Sequence, residues 1–241
     1  MRTYYPRLYG AKFIKGAIAG TLTRDGCIGY VADYPTYGSI ASINAFAQGA
    51  RMVNANARIY LDWAHLRDGG AVGRLQAQGI VYIDYLDRLA ASTGPQMGNR
   101  HNLALIQTHW GRLYQSLVRR VMEGSWKQED QGSSAVNYWW GMEQGVVSVL
   151  CSRRLPTGPR RLAGVLREAL KADRLDPFYG VLMDQSGRVG YGDDAPMPAD
   201  RILSMNWLLT SVEGRIPQFE EFTEKAQELI KLQGVERQSE P

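Results

Sequence analysis

The amino-acid sequence predicts an α/β fold built on a parallel sheet, and three observations carry that expectation. Four short, β-rich apolar runs recur: Ile28-Gly29-Tyr30-Val31, Arg58-Ile59-Tyr60-Leu61-Asp62-Trp63, Ile80-Val81-Tyr82-Ile83-Asp84-Tyr85 and Asn102-Leu103-Ala104-Leu105-Ile106. Segments with apolar residues at helical spacing separate the first three, so residues 27–85 read strand–helix–strand–helix–strand. That pattern calls for parallel pairing through right-handed crossovers. The first run also ends in a polar, aromatic turn, Asp33-Tyr34-Pro35-Thr36-Tyr37, at the sheet edge where open parallel sheets bind ligands.

Taken in order, residues 7–22 form a helix rich in small side chains, with Gly16 and Gly20 four apart beside Ala17 and Ala19. Such a stripe implies close packing on another element. The first strand is bounded by Gly26 and the Asp33/Pro35 turn. Ile40, Ile43, Phe46/Ala47, Ala50 and Val53 then fall on one helical face. The second strand follows the turn at 54–56, a short glycine-interrupted helix spans 68–79, and the third strand spans 80–85. Residues 86–101, with Gly94-Pro95 and Gly98-Asn99, read as a loop. The fourth strand, at 102–106, leads into a helix with Leu113, Leu117, Val121 and Met122 on one face. Beyond a polar loop at 124–135, Tyr138-Trp139-Trp140-Gly141 precedes a helical or strand-like run from Val146 to Leu150. Residues 159–172 read as an amphipathic helix with Leu162, Val165, Leu166 and Leu170 inward. Phe178 to Val189 reads as a hairpin turning at Asp184-Gln185-Ser186-Gly187. A helix over 198–213 starts at Pro198/Asp200 and stops at Gly214. Residues 217–233 are amphipathic and charged before a polar end.

At 241 residues the chain is one large domain or a domain and a half. Its 44% hydrophobic and 22% charged composition is that of an ordinary globular protein. The net charge of +4 comes from scattered basic residues. The densest group, Arg153, Arg154, Arg160 and Arg161, brackets a Pro/Gly turn and forms no stripe with interleaved aromatics, which argues against nucleic acid as a partner. Cys27 and Cys151 sit in apolar segments and read as buried hydrophobes rather than a disulfide. Arg2, Arg7, Lys12 and Lys15 interrupt the apolar part of residues 1–22, so no signal peptide or membrane span is expected. The chain is either intracellular or begins downstream of a targeting segment.

Enzymatic chemistry finds little support. His65, His101 and His109 lack metal-ligand spacing, and no GxSxG elbow or P-loop is present. Gly69-Gly70-Ala71-Val72-Gly73 lacks the dinucleotide-binding order. The expectation is a protein that is not an enzyme, with no catalytic residue, metal or cofactor.

A series of soft motifs, in order, resembles the basic membrane protein family: substrate-binding components of ABC-type nucleoside importers, related to purine nucleoside receptors. The series includes Tyr9-Gly10-Ala11-Lys12-Phe13-Ile14-Lys15-Gly16-Ala17-Ile18-Ala19-Gly20, Ile28-Gly29-Tyr30-Val31-Ala32-Asp33 and Ile43-Asn44-Ala45-Phe46-Ala47-Gln48-Gly49-Ala50. Further on stand His109-Trp110-Gly111-Arg112-Leu113-Tyr114, Gly124-Ser125-Trp126-Lys127 and Tyr138-Trp139-Trp140-Gly141-Met142-Glu143-Gln144-Gly145. Pro177-Phe178-Tyr179-Gly180, Asp184-Gln185-Ser186-Gly187-Arg188-Val189 and Leu203-Ser204-Met205-Asn206-Trp207 complete it, so the resemblance runs to about Pro217.

The resemblance implies the type I periplasmic-binding fold, in which two lobes clamp a ligand, with the first lobe largely missing here. On that reading residues 1–26 are a remnant helix of the first lobe, 27–217 the second lobe, and 218–241 a C-terminal helix and polar tail. The helix at 7–22 would then have lost its partner. Its apolar surface along 8–20 would lie exposed and favour a homo-dimer. The loop at 86–101 is shortened where the family continues into a helix and another strand.

The resemblance further implies a small-molecule ligand, a purine nucleoside or base. It implies an ABC permease as partner in the full-length context, and an extracytoplasmic lipoprotein at the plasma membrane. Purine recognition needs flat apolar faces and a few fixed polar groups, and aromatic stacking contributes about 1–3 kcal/mol per base. The candidates lie at strand ends: Asp33 and Tyr34 after the first, Trp63 after the second, Asp84 and Asp87 after the third, His109 and Trp110 after the fourth. Asp33 and Asp87 stand equally as turn residues. Trp139 joins the set, although Trp139 and Trp140 read first as core anchors. The alternative is an intracellular, cytoplasmic ligand-sensing or interaction domain that keeps the fold without transport.

Overall fold

A computed structural model describes residues 4–92, 100–124, 138–192 and 195–234. The loop expected at 124–135 falls outside this set beyond Gly124, as does the polar end after residue 234. The order is β1 (Tyr4–Pro6), α1 (Tyr9–Leu22), β2 (Cys27–Ala32), α2 (Ser39–Val53), β3 (Arg58–Trp63), α3 (Ala71–Ala77), β4 (Tyr82–Tyr85), β5 (Arg88–Ser92) and β6 (Arg100–Thr108). Then come α4 (Trp110–Met122), β7 (Tyr138–Trp140), β8 (Val147–Cys151), α5 (Thr157–Lys171), β9 (Leu182–Met183), β10 (Val189–Tyr191), α6 (Ala199–Leu203), β11 (Val212–Glu213) and α7 (Glu224–Gln233).

Seven strands form the central sheet in the order β11-β3-β2-β4-β5-β6-β8. β2 is its core strand, paired in parallel with β3 on one side and β4 on the other. Every residue of β2 after Cys27 is buried, as a strand covered on both faces requires. One face carries the main core, under α1, α2 and α5; the other is a small cluster of Val31, Ala71, Leu75, Ile80 and Ile83 beneath α3. The α/β architecture with a mainly parallel sheet is as the sequence predicts.

The half beyond β4 is different. β4, β5, β6 and β8 pair antiparallel in succession. β5 lies inside the stretch expected to be a loop. β6 therefore runs in the direction of β2, β3 and β4 without pairing with any of them. Leu86 and Asp87 form the two-residue turn between β4 and β5, and Leu86 has φ 53°. That left-handed first position favours glycine, which is why the sequence gives no hairpin signal there.

α1 corrects a second expectation. Residues 11–20 are buried without exception, packed on α2 and α5 and over β6 and β8. The stripe of small residues does serve a close approach, but the partner is α2 of the same unit. A Cβ on Gly16 would lie 1.9 Å from the Phe46 carbonyl oxygen, and one on Gly49 would lie 2.0 Å from that of Phe13. No side chain fits there. The expected open face along 8–20, and the dimer through it, are therefore not features of this fold.

Two smaller differences follow from local partners. The helix expected over 198–213 stops after α6, because the chain that follows is held extended by Asn44. That fully buried side chain donates from Nδ2 to the Trp207 carbonyl (2.8 Å) and accepts from the Leu209 N–H at Oδ1 (3.0 Å). In α5, Leu166 and Leu170 are buried with Ala163, while Val165 points to solvent.

Candidate functional site

A cleft of about 520 Å³ opens at the carboxyl ends of β2 and β4. Its base is Lys12, Tyr30 and Asp33, and its sides are Tyr34, Tyr37 and Ser39 after β2, and Leu86 and Asp87 after β4. Tyr5, Tyr9 and Trp139 contribute to its lining, as do Leu229 and Gln233 of α7. Parallel pairing explains the gathering: residues just past the ends of adjacent parallel strands become neighbours whatever their sequence separation.

Three of the expected residues, Asp33, Tyr34 and Asp87, meet here from strand ends, and Trp139 joins them from β7. β7 pairs in parallel with β1, with Trp139 opposite Tyr5. Trp139 also packs on Tyr9, ring centroids 5.6 Å apart. Tyr9 and Trp139 form the partition to a second, smaller cavity of about 160 Å³ beside the Arg7–Glu143 ion pair. Burial pushes the Tyr9 phenol up to about 12, against the opposing pull of Arg7.

Trp63, His109 and Trp110 are not among the residues lining the cleft. The Trp63 indole is 3% exposed; it donates from Nε1 to the Arg215 carbonyl (2.8 Å) and meets Phe222 edge-on. His109 precedes α4, with Nε2 2.8 Å from Ser148 Oγ. Trp110 is 43% exposed and stacks on Tyr114. The inserted β5 is the reason for the last two: strands lie about 4.8 Å apart, so β6 ends one strand further from β4 than direct pairing would put it. Asp84, at the end of β4, is wholly buried beneath the cleft.

Asp33 is the most telling polar group. Its Oδ1 is buried, and among the described residues it has no hydrogen bond. His65 Nε2 lies 3.6 Å away, and the His65 ring stacks on Tyr34 at 4.5 Å and 8°. Burial raises the Asp33 pKa, with His65 and Lys12 pulling against it. The Asp33 side chain is 39% exposed as a whole, so its carboxylate can accept hydrogen bonds from a ligand in the cleft.

Beneath the cleft, two lysines share one carboxylate. Lys12 Nζ lies 2.7 Å from Asp84 Oδ2, and Lys15 Nζ lies 2.5 Å from Asp84 Oδ1. Lys12 also donates to the Leu86 carbonyl and sits 4.9 Å from the Tyr30 ring centre. Burial opposes both charges. For Lys12, Asp84 outweighs it and the pKa rises; for Lys15, burial prevails over Asp84, Lys12 adds repulsion, and the pKa is pushed down to about 7. Lys12 thus holds the left-handed Leu86, and with it the turn that carries Asp87. The sequence did carry a signal for this pair: two lysines in a helix otherwise made of apolar and small residues. Among the described residues, no group of histidines, cysteines and acids is arranged to hold a metal ion.

No family model matches the chain. It is similar to a purine-binding protein of Brucella abortus, 25% identical over 90% of this chain and 66% of that protein. It is also similar to a Haloferax volcanii protein provisionally named an ABC transporter glucose-binding protein, 28% identical over 61% of this chain and 41% of that one. The chain thus spans just under two thirds of the first relative and about two fifths of the second. Among solved structures, it shares its fold with an ABC transporter solute-binding protein from Conexibacter woesei (TM-score 0.50, 13% identity, 72% of this chain and 64% of that). The same holds for a transcriptional activator of the comK gene from Bacillus halodurans (TM-score 0.53, 15% identity, 72% and 66%). The resemblance drawn from the sequence stands: the chain is similar to ABC-type solute-binding proteins, and its fold is theirs. Both relatives are named for binding and neither as an enzyme, in keeping with the non-enzymatic expectation. No described helix is long and apolar enough to cross a membrane.

Proposed function

We propose that this chain binds a small, hydrogen-bond-donating planar solute, a purine nucleoside or base, in the cleft at the ends of β2 and β4. The observation that carries the reading is the half-exposed Asp33 carboxylate in a cleft sided by Tyr34, Tyr37 and Trp139. Carboxylates at Asp33 and Asp87 accept from ring N–H, amino or ribose hydroxyl groups, and the aromatic rings offer faces for a base. The volume is that of a small-molecule site. The purine-binding name of the Brucella relative supports the base over a sugar; the glucose-binding name of the Haloferax relative makes a hexose the comparison to run. In this reading the chain serves an ABC permease on the outer side of the plasma membrane, as the solute-binding names of its relatives suggest.

Titration calorimetry of the full chain with guanosine, adenosine, adenine and glucose tests it. We expect a purine to bind with Kd on the order of 0.1 mM and Asp33→Asn to weaken it at least about tenfold. Heat from glucose alone would overturn the purine assignment, and no heat from any of the four would overturn the solute reading. A second reading, cytoplasmic ligand sensing without transport, is favoured by one observation, the fold shared with a transcriptional activator. Fractionation of cells carrying the natural gene separates the two readings: recovery with membranes or the cell exterior supports transport, and recovery in the cytosol supports sensing.

A further inference from the structure

The C-terminal segment borders the cleft through Leu229 and Gln233, and its anchorage is specific. At one end, Thr223 N–H donates to the His65 carbonyl (3.0 Å), Arg67 N–H donates to the Glu221 carbonyl (3.0 Å), and Phe222 is fully buried against Trp63. These contacts fix the start of α7 to the loop after β3. At the other end, Tyr37 N–H donates to the Gln233 carbonyl (2.9 Å), and Gly234 pairs with Thr36 in an antiparallel bridge. These fix the end of α7 to the loop after β2. The helix therefore spans two adjacent strand ends. Ala226 and Ile230 are turned into the core, while Leu229 and Gln233 line the cleft.

We infer that α7 is the second wall of the cleft, supplied by the same chain, and that it sets the size of what enters. The inference rests on the solute reading only for the identity of what enters. Its chemistry complements the sheet side. Asp33 and Asp87 bring carboxylate acceptors, whereas Gln233, whose amide oxygen accepts from the Tyr5 hydroxyl (3.4 Å), brings an amide that can also donate. A solute with both donors and an acceptor, such as a nucleobase edge, matches the two walls together.

A solute-independent experiment decides the matter. Ser39→Cys places a thiol among the residues that line the cleft, and the parent chain, whose Cys27 and Cys151 are both half-buried, serves as the blank. Alkylation is timed with iodoacetamide and with a polyethylene-glycol maleimide, in Ser39→Cys alone and combined with Leu229→Ala or Leu229→Trp. Leu229 is half-buried and outside the core, so both variants are expected to fold. Access controls thiol reactivity: the bulky reagent should react about fivefold faster with Leu229→Ala and about fivefold slower with Leu229→Trp. The iodoacetamide rate should change by less than about twofold. Equal bulky-reagent rates in all three chains overturn the inference, whether or not any solute binds. Size gating in a chain that binds none of the four titrated solutes supports the wall and overturns the solute reading instead.

Discussion

Replacing Lys15 by methionine should make the protein more stable at neutral pH and remove a rise of stability with pH. Lys15 is fully buried beside a carboxylate that Lys12 already neutralises. Protonated, the cluster carries one uncompensated positive charge in the core; with Lys15 neutral, it is a balanced ion pair. Burial is the largest influence and holds the Lys15 pKa at about 7 in the folded chain, against an ordinary value of 10.5. Below pH 7 the ammonium is charged in both folded and unfolded chains, and folding bears the full cost of burying it. Between pH 7 and 10.5 the folded chain releases a proton that the unfolded chain keeps, so stability rises with pH. The slope approaches about 1.4 kcal/mol per pH unit, or on the order of 2 kcal/mol between pH 7 and pH 9. Methionine keeps the length of the side chain and leaves the Lys12–Asp84 pair intact. Exchanging buried ionic groups for apolar ones of similar volume stabilises by about 1–4 kcal/mol in favourable cases. Urea unfolding followed by tryptophan fluorescence at pH 6.5, 7.5 and 8.5, in parent and variant, reads both effects, and comparison of the two chains cancels other titrating groups. Equal pH slopes in the two chains, or a variant less stable than the parent at pH 6.5, would refute the reasoning.

The same cluster predicts that Lys12→Met loses about 3 kcal/mol or less, because Lys15 inherits Asp84, and that hydrogen exchange in the turn at Leu86–Asp87 quickens as its carbonyl loses a donor. Gly16→Ala or Gly49→Ala should cost at least about 3 kcal/mol in denaturant midpoint measurements, since each methyl would meet helix backbone at about half of van der Waals distance; an unchanged midpoint would mean that α1 and α2 cross elsewhere. Trp63→Phe should lower stability by about 1 kcal/mol through the lost Arg215 hydrogen bond with little change in solute affinity. Trp110→Ala should leave both within about twofold in equilibrium constant, read by the same calorimetry and unfolding curves.

The parallel half of the sheet was legible because its signal is local. Apolar runs of four to six residues in β2, β3 and β4 are separated by helical periodicity, and that alternation admits few topologies. From this came the edge where the cleft opens, and with it Asp33, Tyr34 and Asp87 among the lining residues. The antiparallel half was not legible for an equally local reason. A two-residue hairpin announces itself by Asn-Gly or Gly at its left-handed positions, and here the position is Leu86, held by a lysine 74 residues earlier. A hydrogen bond over that separation leaves no mark in a window of neighbouring residues. The missed strand then displaced His109 and Trp110, so one unread turn accounts for two residues placed outside the cleft.

The small-residue stripe of α1 shows where pattern reading reaches its end. Gly16 and Gly20 report that a backbone comes close; they do not report whose. The resemblance to two-lobed proteins supplied a missing lobe as partner, while the complementary signal stood in α2, where Gly49 sits level with Phe13 as Gly16 does with Phe46. Two glycines that each admit the other helix's carbonyl form a reciprocal contact, and a reciprocal contact consumes the whole face. With that face closed, the small-residue stripe of α1 has its partner in α2. The cleft draws on more than β2 and β4: α7 lines it with Leu229 and Gln233, tied at one end to the loop after β3 and at the other to the loop after β2.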